Sequence, residues 1–357
     1  MTVNANAFAV VFAANMLMGA GAASAQQPVQ PDPLAQAAPL TPQVINAAPL
    51  DVIPPTYVPR QQKATVIGAA FPTAENAKPL PSPSVARLQI LLDRAGASPG
   101  VIDGYDGDNV RRAILAFKAM HGLRPDGVLD PEVIAQLNAV DPVIGSYTIT
   151  PDDAAAIIPP IPKDYGEMAK LKYLGYTSLP EELAERFHMD VDLLKALNPA
   201  ARFAPGELIF GAAIGAGRQG QVVRIVADKG LGQVRAYGAD NTLLAAYPAT
   251  IGSESNPSPS GVHTVLAIVH NPTYTYNPDV NFKQGNNNKV LTIPPGPNGP
   301  VGSVWIDLSE PTFGIHGTPE PSMIDKNGSH GCVRLTNWDA EELAGMVSKG
   351  AEVDFIS

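Results

Sequence analysis

The sequence is poor in charge, in aromatic residues and above all in cysteine. Charged residues make up 16% of the 357 positions and aromatic residues 6%. The formal net charge is −10, and no run of lysines and arginines offsets it, which argues against nucleic acid as a partner. Cys332 is the only cysteine, so an internal disulfide is excluded. Its thiol is then either a small buried hydrophobic group or a reactive one.

The N-terminus is apolar and has no basic residue before Arg60. The run 7–18 is too short to span a bilayer comfortably, and the A-S-A tripeptide ending at Ala25 fits a signal-peptidase site. We predict a signal peptide over residues 1–25 and export to the periplasm or cell wall, although the usual positively charged start is missing. The alternative, a hydrophobic helix of a cytosolic fold, fits poorly because proline-rich chain follows. Exported proteins usually pair their cysteines, so export makes a lone thiol more unusual.

Composition and periodicity divide the rest of the chain. A chain of this length favours two or three domains. Stretches rich in Ala, Pro and Gln, without helical or strand period, predict disordered connections. The predicted order is a disordered tether over 26–80, a three-helix domain over 81–140, a linker over 141–165, a helix–helix–strand module over 166–215, and a mainly antiparallel β domain over 221–357.

Helical periodicity and Asp-Gly turns are the signals within residues 81–140. Val85, Leu88 and Leu92 fall on one helix face, and "DGYDGDNVRRAILAFKAMHG" and "RPDGVLDPEVIAQL" each place a turn before a helix. A calcium loop fits less well, because the alternating oxygen ligands and closing glutamate of an EF-hand are missing. The segment resembles the three-helix peptidoglycan-binding domain.

The module at 166–215 contains "GYTSLPEELAERFHMDVDLLKALNPAARFAPGELIF". It resembles a LysM glycan-binding module, in which "TSLPEE" replaces the usual Gly-Asp start. The alternative is a plain helical hairpin that packs on its neighbour. Both alternatives predict small helical wall-binding-like or packing units ahead of the β domain.

The β domain at 221–357 consists of short β-rich runs separated by Gly, Asn and Asp turns, with one helix near its end. Thr336 or Asn337 is expected to cap that helix, and Gly350 to end it before a last strand. Trp338 is expected to pack in the core. The only cysteine therefore lies in this domain, shortly before its helix.

The surroundings of Cys332 favour nucleophilic chemistry. A free thiol has a pKa of ~8.5 and needs a neighbouring base or cation to react as thiolate. Of the six histidines, His316 and His330 lie within 16 residues of Cys332, each followed by glycine. Glycine allows a close approach of substrate, and amides around Gly331 can then form an oxyanion hole.

A zinc site is the competing interpretation of the same residues. His316, His330 and Cys332 are conceivable ligands, but no motif supplies a fourth ligand or an activating glutamate. We therefore expect covalent catalysis, with no metal and no other cofactor.

The string "HGTPEPSMIDKNGSHGCVRLTNWDAEEL" resembles the catalytic signature of the YkuD-type L,D-transpeptidases: His-Gly-Thr, a loop, then Ser-His-Gly-Cys-x-Arg. Upstream, "YPATIG", "SPSGVHTV" and "PPGPNGPVG" resemble further features of that family, with Ser258 in place of a more common threonine. The resemblance covers about residues 221–356 and implies a YkuD-like fold there.

The resemblance implies a role for each residue of the motif. These roles are nucleophile for Cys332, general base for His316, orientation of that imidazole for the Gly317 carbonyl, oxyanion-hole amide for Gly331, and shaping of the site for His330 and Ser329. Arg334 has two alternatives, binding of a substrate carboxylate or a structural salt bridge. Tyr274 and Tyr276 lie where the family has a mobile lid, and packing within the loop is their alternative.

The implied reaction is acyl transfer from a stem tetrapeptide of peptidoglycan, through a Cys332 thioester, with release of D-Ala. The implied partners are peptidoglycan stem peptides and glycan, an outer-membrane or wall-anchored protein as acyl acceptor, and carbapenem-type β-lactams as inhibitors.

The sequence leaves the acceptor open. An amine would give a 3-3 cross-link or an anchored protein, whereas water would give hydrolysis by an L,D-carboxypeptidase or anchor-cleaving amidase. A wall-binding protein with an inactive domain is a third class, which the intact Cys332, His316 and Gly331 disfavour.

Overall fold

The structure is a computed structural model that describes residues 40–53, 80–137, 142–280, 282–326 and 328–357. The predicted signal peptide lies outside the described residues, as does the predicted tether apart from 40–53 and residue 80. Within the described ranges, no helix combines the length and apolar character needed to cross a membrane.

The first half of the chain is mainly helical. Its elements are α1 (Pro42–Ala47), α2 (Pro83–Arg94), α3 (Asp108–Met120), α4 (Pro131–Leu137), β1 (Ile144–Thr148), α5 (Pro151–Ala155), α6 (Tyr165–Met168), α7 (Leu179–Arg186), α8 (Val191–Leu197) and β2 (Leu208–Ala212). Local chemistry sets several helix starts. Ser82 accepts a hydrogen bond from the amide of Val85 at 3.4 Å at the start of α2, and Asp190 caps α8 in a similar way.

Two segments predicted to be disordered or linking are ordered instead. In 40–53, Ile45 of α1 is fully buried, and the Asn46 side chain accepts hydrogen bonds from the amides of Val143 and Ile144 at 2.8 Å. In 141–165, β1 pairs antiparallel with β2, and α5 follows. The prolines that suggested a linker include one in the first turn of a helix, where proline is favoured. The predictions of a tether over all of 26–80 and of a linker over 141–165 are therefore wrong for these residues.

The second half of the chain forms a nine-stranded mixed sheet. The remaining elements are β3 (Val222–Asp228), β4 (Gln233–Tyr237), β5 (Leu243–Pro248), β6 (Thr250–Ile251), β7 (Gly261–His270), β8 (Tyr274–Tyr276), β9 (Leu291–Ile293), β10 (Val304–Leu308), β11 (Gly314–His316), a 3₁₀ helix (Pro321–Met323), β12 (Val333–Arg334), α9 (Asn337–Met346) and β13 (Val347–Ile356). The strand order is β5-β4-β3-β13-β7-β10-β11-β12-β6, and β8 pairs with β9 in a separate hairpin. Only β3–β13 and β11–β12 are parallel, which confirms the predicted mainly antiparallel β domain.

Helix α9 covers one face of this sheet and begins as predicted. Thr336 accepts a hydrogen bond from the amide of Asp339 at 3.2 Å, and Trp338 is buried. The helix ends earlier than predicted, however. Val347 already pairs with Val222 of β3, so strand pairing ends the helix before Gly350 is reached.

The helical half packs directly on the sheet. The amide of Ser98 donates to the Ala246 carbonyl of β5 at 2.9 Å, and the amide of Ala246 donates to Gly96 at 2.9 Å. His188 stacks on Trp338 with ring centroids 5.0 Å apart. All described residues belong to one compact unit. The described helical units are consequently part of one packed body with the β domain.

Candidate active site

Strands β10, β11 and β12 form the floor of the candidate site. In register, Trp305 pairs with His316, which in turn pairs with Arg334. Side chains alternate between the two faces of a sheet. The chain neighbours of these three residues, Ile306, Ile315 and Val333, are buried in the hydrophobic core. Trp305, His316 and Arg334 therefore share the opposite face, away from that core.

Cys332 lies immediately before β12 and two residues before Arg334, so an extended chain turns its side chain to the same face as His316. Cys332 precedes by two residues the position of β12 that pairs with His316 of the adjacent strand β11. The Cys332 Sγ lies 3.7 Å from the carbonyl oxygen of Thr312. Burial raises the pKa of the thiol, although a backbone hydrogen bond from Gly314 and the charge of Arg334 act in the opposite direction.

His316 is buried and held in one tautomer. Its Nδ1 lies 2.6 Å from the Gly317 carbonyl oxygen, and because a carbonyl can only accept, Nδ1 carries the proton. Nε2 is then free to accept a proton. Burial is the largest cause that lowers the pKa of His316 to about 4; the bond to Gly317 partly opposes it, and the charge of Arg334 adds to it. The imidazole is therefore neutral at pH 7, as a general base must be.

Asn337, which the sequence suggested only as a helix cap, supports this arrangement. A Cβ added to Gly317 would lie 2.1 Å from Asn337 Oδ1, so only glycine fits there. Asn337 Oδ1 accepts from the amide of Ser303 at 3.1 Å, and its Nδ2 donates to Glu185 of α7 at 2.8 Å. Burial raises the pKa of Glu185 to about 7. The helical half thus contacts the support of the candidate base.

Gly331 adopts a left-handed conformation, with φ +102°, and a Cβ there would lie 2.6 Å from the Phe313 ring. Ser258 Oγ donates to the Gly331 carbonyl at 2.8 Å, and Ser329 Oγ donates to the Cys332 carbonyl at 2.6 Å. Because the peptide is planar and trans, the Cys332 amide points away from Ser258. The sequence singled out Ser258 only as a departure from the family pattern, and its bond to the motif appears only in the structure.

Arg334 and His330 turn to different surroundings. Arg334 is half-buried, and no carboxylate among the described residues forms an ion pair with it, although the charge of Glu320 reaches it. This argues against the structural salt bridge. His330 is exposed and stacks on Phe282, with ring centroids 4.5 Å apart and planes 23° apart. Among the residues that the structure describes, no group of three or more His, Cys, Asp and Glu is placed to hold a metal ion.

The hairpin of β8 and β9 lies beside this face, and its two tyrosines differ. Tyr276 is fully buried, and its hydroxyl accepts from the amide of Gln284 at 2.9 Å, so it packs within the hairpin. Tyr274 is only half-buried. Burial raises its pKa, and the charges of Tyr165 and Cys332 contribute, which puts Tyr274 on the side of the thiol.

Two known families match parts of the chain. Residues 223–354 match the YkuD family, described as "L,D-transpeptidase catalytic domain", and residues 81–137 match the family described as "Putative peptidoglycan binding domain". A YkuD-family domain is thus found over residues 223–354. The catalytic domain runs from β3 into β13 and contains every residue of the candidate site, whereas the peptidoglycan-binding domain contains α2, α3 and α4.

Curated relatives match part of the chain and are themselves longer than the matched part. The "Putative L,D-transpeptidase YkuD" of Bacillus subtilis is 30% identical over 114 residues, which is 32% of this chain and 54% of the relative. The "Putative L,D-transpeptidase YkuD" of Bacillus licheniformis is 49% identical over 64 residues, 18% of this chain and 39% of the relative. The "Probable L,D-transpeptidase ErfK/SrfK" of Escherichia coli is 30% identical over 34% of this chain and 39% of the relative. The chain therefore spans about half the length of these relatives or less.

Solved structures also match the chain. An L,D-transpeptidase from Mycobacterium smegmatis is 19% identical, with a TM-score of 0.32 and coverage of 44% of this chain and 76% of that one. L,D-transpeptidase 1 of Mycobacterium tuberculosis, solved in complex with imipenem, is 17% identical, with a TM-score of 0.31 and coverage of 42% and 66%.

Proposed function

We propose that the catalytic domain is a cysteine-dependent acyltransferase that acts on peptidoglycan as an L,D-transpeptidase. One observation carries the proposal: a buried, neutral imidazole with a free Nε2 lies on the strand adjacent to the thiol, on the same face and two residues away in register, and the thiol follows a turn fixed by Ser258 and Gly331. A general base needs that protonation state, and a thiol with a raised pKa needs that base.

The first half-reaction forms a thioester. His316 Nε2 takes the thiol proton as Cys332 Sγ attacks the carbonyl between the third, diamino-acid residue of a stem tetrapeptide and its terminal D-Ala. The amides of Gly331 and Cys332 stabilise the oxyanion. The C–N bond then breaks, His316 returns the proton to the leaving amine, and D-Ala departs.

The second half-reaction resolves the thioester. An acceptor amine attacks the carbonyl, His316 takes its proton, and the C–S bond breaks to return the thiolate, which His316 reprotonates. If water attacks instead, the products are a shortened peptide acid and the free enzyme. Cross-linking or protein anchoring is therefore the proposed outcome with an amine, and L,D-carboxypeptidase or anchor-cleaving hydrolysis is the alternative.

Arg334 supports the choice of a peptide donor that carries a carboxylate. Its guanidinium shares the face of His316 and has no ion-pair partner among the described residues, and burial lowers its pKa. A half-buried cation without a partner favours an anionic ligand, because pairing removes part of the cost of burial. His330 and Ser329 would shape this site through Phe282 and the Cys332 carbonyl.

The domain pairing supports a place at the cell wall. A peptidoglycan-binding domain beside the catalytic domain would raise the effective concentration of an insoluble substrate. We therefore propose that the protein is exported and works on peptidoglycan in the periplasm or cell wall, without a cofactor. We also propose that residues 166–215 bind glycan as a LysM-like module.

The test is to incubate the purified protein with tetrapeptide muropeptides, with and without an amine acceptor, and to identify the products by mass spectrometry. We expect loss of D-Ala and, with the amine, a new amide. Cys332→Ala is the control and should form neither. A shortened peptide with no amide, even at high amine concentration, would favour the hydrolase. Release of D-Ala by Cys332→Ala at the rate of the unmodified protein would refute the mechanism.

A further inference from the structure

Residues 161–175, here called the strap, lie outside both matched families, which cover 81–137 and 223–354. The strap includes α6 and packs on the β8–β9 hairpin of the catalytic domain. Together they form a separate hydrophobic core in which Leu174 of the strap and Tyr276 and Ile293 of the hairpin are fully buried. Part of the surface on which the β8–β9 hairpin, here also called the lid, packs is therefore supplied from outside the catalytic domain.

Polar contacts hold the first end of the strap. The amide of Tyr165 donates to Gln284 Oε1 at 3.0 Å, and Gln284 Nε2 donates to the Lys163 carbonyl at 2.8 Å. Asn287 Nδ2 donates to Asp164 Oδ2 at 3.0 Å. These bonds attach the strap to the segment that joins β8 to β9.

A close backbone contact holds the second end. The amide of Leu174 donates to the Pro295 carbonyl at 2.8 Å, and the amide of Asn298 donates to the Leu174 carbonyl at 2.9 Å. Gly296 has φ +140°, and a Cβ there would lie 2.3 Å from the Leu174 carbonyl oxygen. Only glycine allows the two backbones to approach this closely.

Tyr165 connects the strap to the catalytic motif. Its ring meets three rings of the hairpin region edge-on, with centroid distances of 5.3 Å to Tyr276, 6.0 Å to Phe282 and 6.2 Å to Tyr274. Phe282 in turn stacks on His330, two residues before Cys332. The charge of Arg334 also reaches the Tyr165 phenol. Tyr165 thus lies between the lid and the side of the site where Arg334 lies.

We propose that Tyr165 is a positioning residue that the strap contributes to the donor site: it holds the β8–β9 hairpin and Phe282 over Cys332 and so sets the width of the pocket that receives the stem peptide. The identity of the ligand as an acyl donor rests on the proposed function, whereas the control of access to the thiol does not. Because three edge-on contacts meet at one ring, removal of that ring loosens the lid, whereas removal of the hydroxyl alone does not.

The experiment compares Tyr165→Ala with Tyr165→Phe in the full chain, with Tyr173→Ala as the matched control. Tyr173 is in the same strap but is 42% exposed and makes no ring contact with the hairpin. The readout is the rate of Cys332 modification by a small reagent, iodoacetamide, and by a bulky one, fluorescein maleimide. Since each aromatic pair is worth roughly two- to tenfold in an equilibrium, we expect Tyr165→Ala to raise the bulky-to-small rate ratio about tenfold. Tyr165→Phe and Tyr173→Ala should stay within about twofold of the unmodified protein.

A second variant covers the case in which Tyr165→Ala fails to fold. Gln284→Ala removes the side chain that accepts from the Tyr165 amide and donates to the Lys163 carbonyl, so the backbone that positions the Tyr165 ring is no longer held and the same ratio should rise. With a tetrapeptide donor, Tyr165→Ala should also raise KM several-fold with a smaller change in kcat. An unchanged rate ratio in folded Tyr165→Ala or, where that variant does not fold, in Gln284→Ala would overturn the proposal. Because alkylation needs no turnover, an unmodified protein that never releases D-Ala would refute the proposed function and still leave the strap testable.

Discussion

The proposed base is tested most directly by replacing His316 with alanine. The pKa of His316 is lowered to about 4, so at pH 7 only about one imidazole in a thousand is protonated. The pKa of the Cys332 thiol is raised above its reference value of 9.0, so less than about 1% of it is ionised at that pH. The resting pair is therefore thiol and neutral imidazole, and the proton must move during attack. Loss of such a base typically costs about 10²–10⁴-fold in rate.

The assay follows alkylation of Cys332 by iodoacetamide and acylation by a carbapenem, each from pH 5 to pH 10. In the unmodified protein, alkylation should change by much less than tenfold per pH unit between pH 5 and pH 8, because the neutral imidazole of His316 can take the thiol proton throughout that range. In His316→Ala, alkylation should instead follow the thiolate fraction and rise about tenfold per pH unit below the thiol pKa. His316→Ala should slow acylation at pH 7 by about 10²–10⁴-fold and slow alkylation near neutral pH. Above the thiol pKa its alkylation should approach that of the unmodified protein, because the thiolate no longer needs a base.

His330→Ala is the matched control, since it removes the other nearby imidazole, which stacks on Phe282. It should affect thiol reactivity less than His316→Ala does. A rise of about tenfold per pH unit in the unmodified protein that is unchanged in His316→Ala would show that His316 does not take the thiol proton and would refute its role as the base. If His330→Ala raises the apparent thiol pKa while His316→Ala leaves it unchanged, the base has been assigned to the wrong histidine.

Three further predictions concern the nucleophile, the support of the base and a buried acid. A carbapenem should add once to the protein, because its strained β-lactam carbonyl is an electrophile for the thiol; intact-mass and peptide mass spectrometry should place the adduct on Cys332, and no adduct on folded protein would count against a working site. Gly317→Ala should lower both stability and acylation rate, since its Cβ would lie 2.1 Å from Asn337 Oδ1; an unchanged Tm and rate would contradict this. Burial raises the pKa of Asp339 from 3.8 to about 8, so the unfolded chain ionises first and stability falls as pH rises through that window. Asp339→Asn cannot ionise, so its free energy of unfolding should rise relative to that of the unmodified protein between pH 5 and pH 8, by at most about 1.4 kcal/mol per pH unit, and its Tm should rise in parallel. A Tm difference that stays constant over this range would show that Asp339 is ionised when folded.

Much of the candidate site follows from short stretches of sequence. Cys332, Gly331 and His330 are consecutive neighbours, and His316 precedes them by a short loop, so one local pattern contains the chemistry. The start of α9 at Thr336 and the turns of the helical domain are similarly local, because caps and Asp-Gly turns depend on a few adjacent residues. The β-rich texture of the last third predicted a mainly antiparallel sheet, which the strand order confirms.

Other parts depend on residues far apart in the chain, for which no local pattern exists. Asn337 and Glu185, which meet behind the Gly317 turn, are 152 positions apart. The stretch 141–165 has a linker's composition, yet pairing of β1 with β2 orders it, because a strand needs only a partner edge and a few buried side chains.

Tertiary structure also decided what surrounds the thiol. The sequence determined which groups could react, since reactivity resides in a few side chains and the turn that joins them. Their burial, which lowers the pKa of His316 and raises that of Cys332, depends on the sheet and on the segments packed around it. Tyr165 reaches the lid only because the strap folds back over the β8–β9 hairpin. Desolvation and long-range packing are properties of the folded chain, and no stretch of sequence carries them alone.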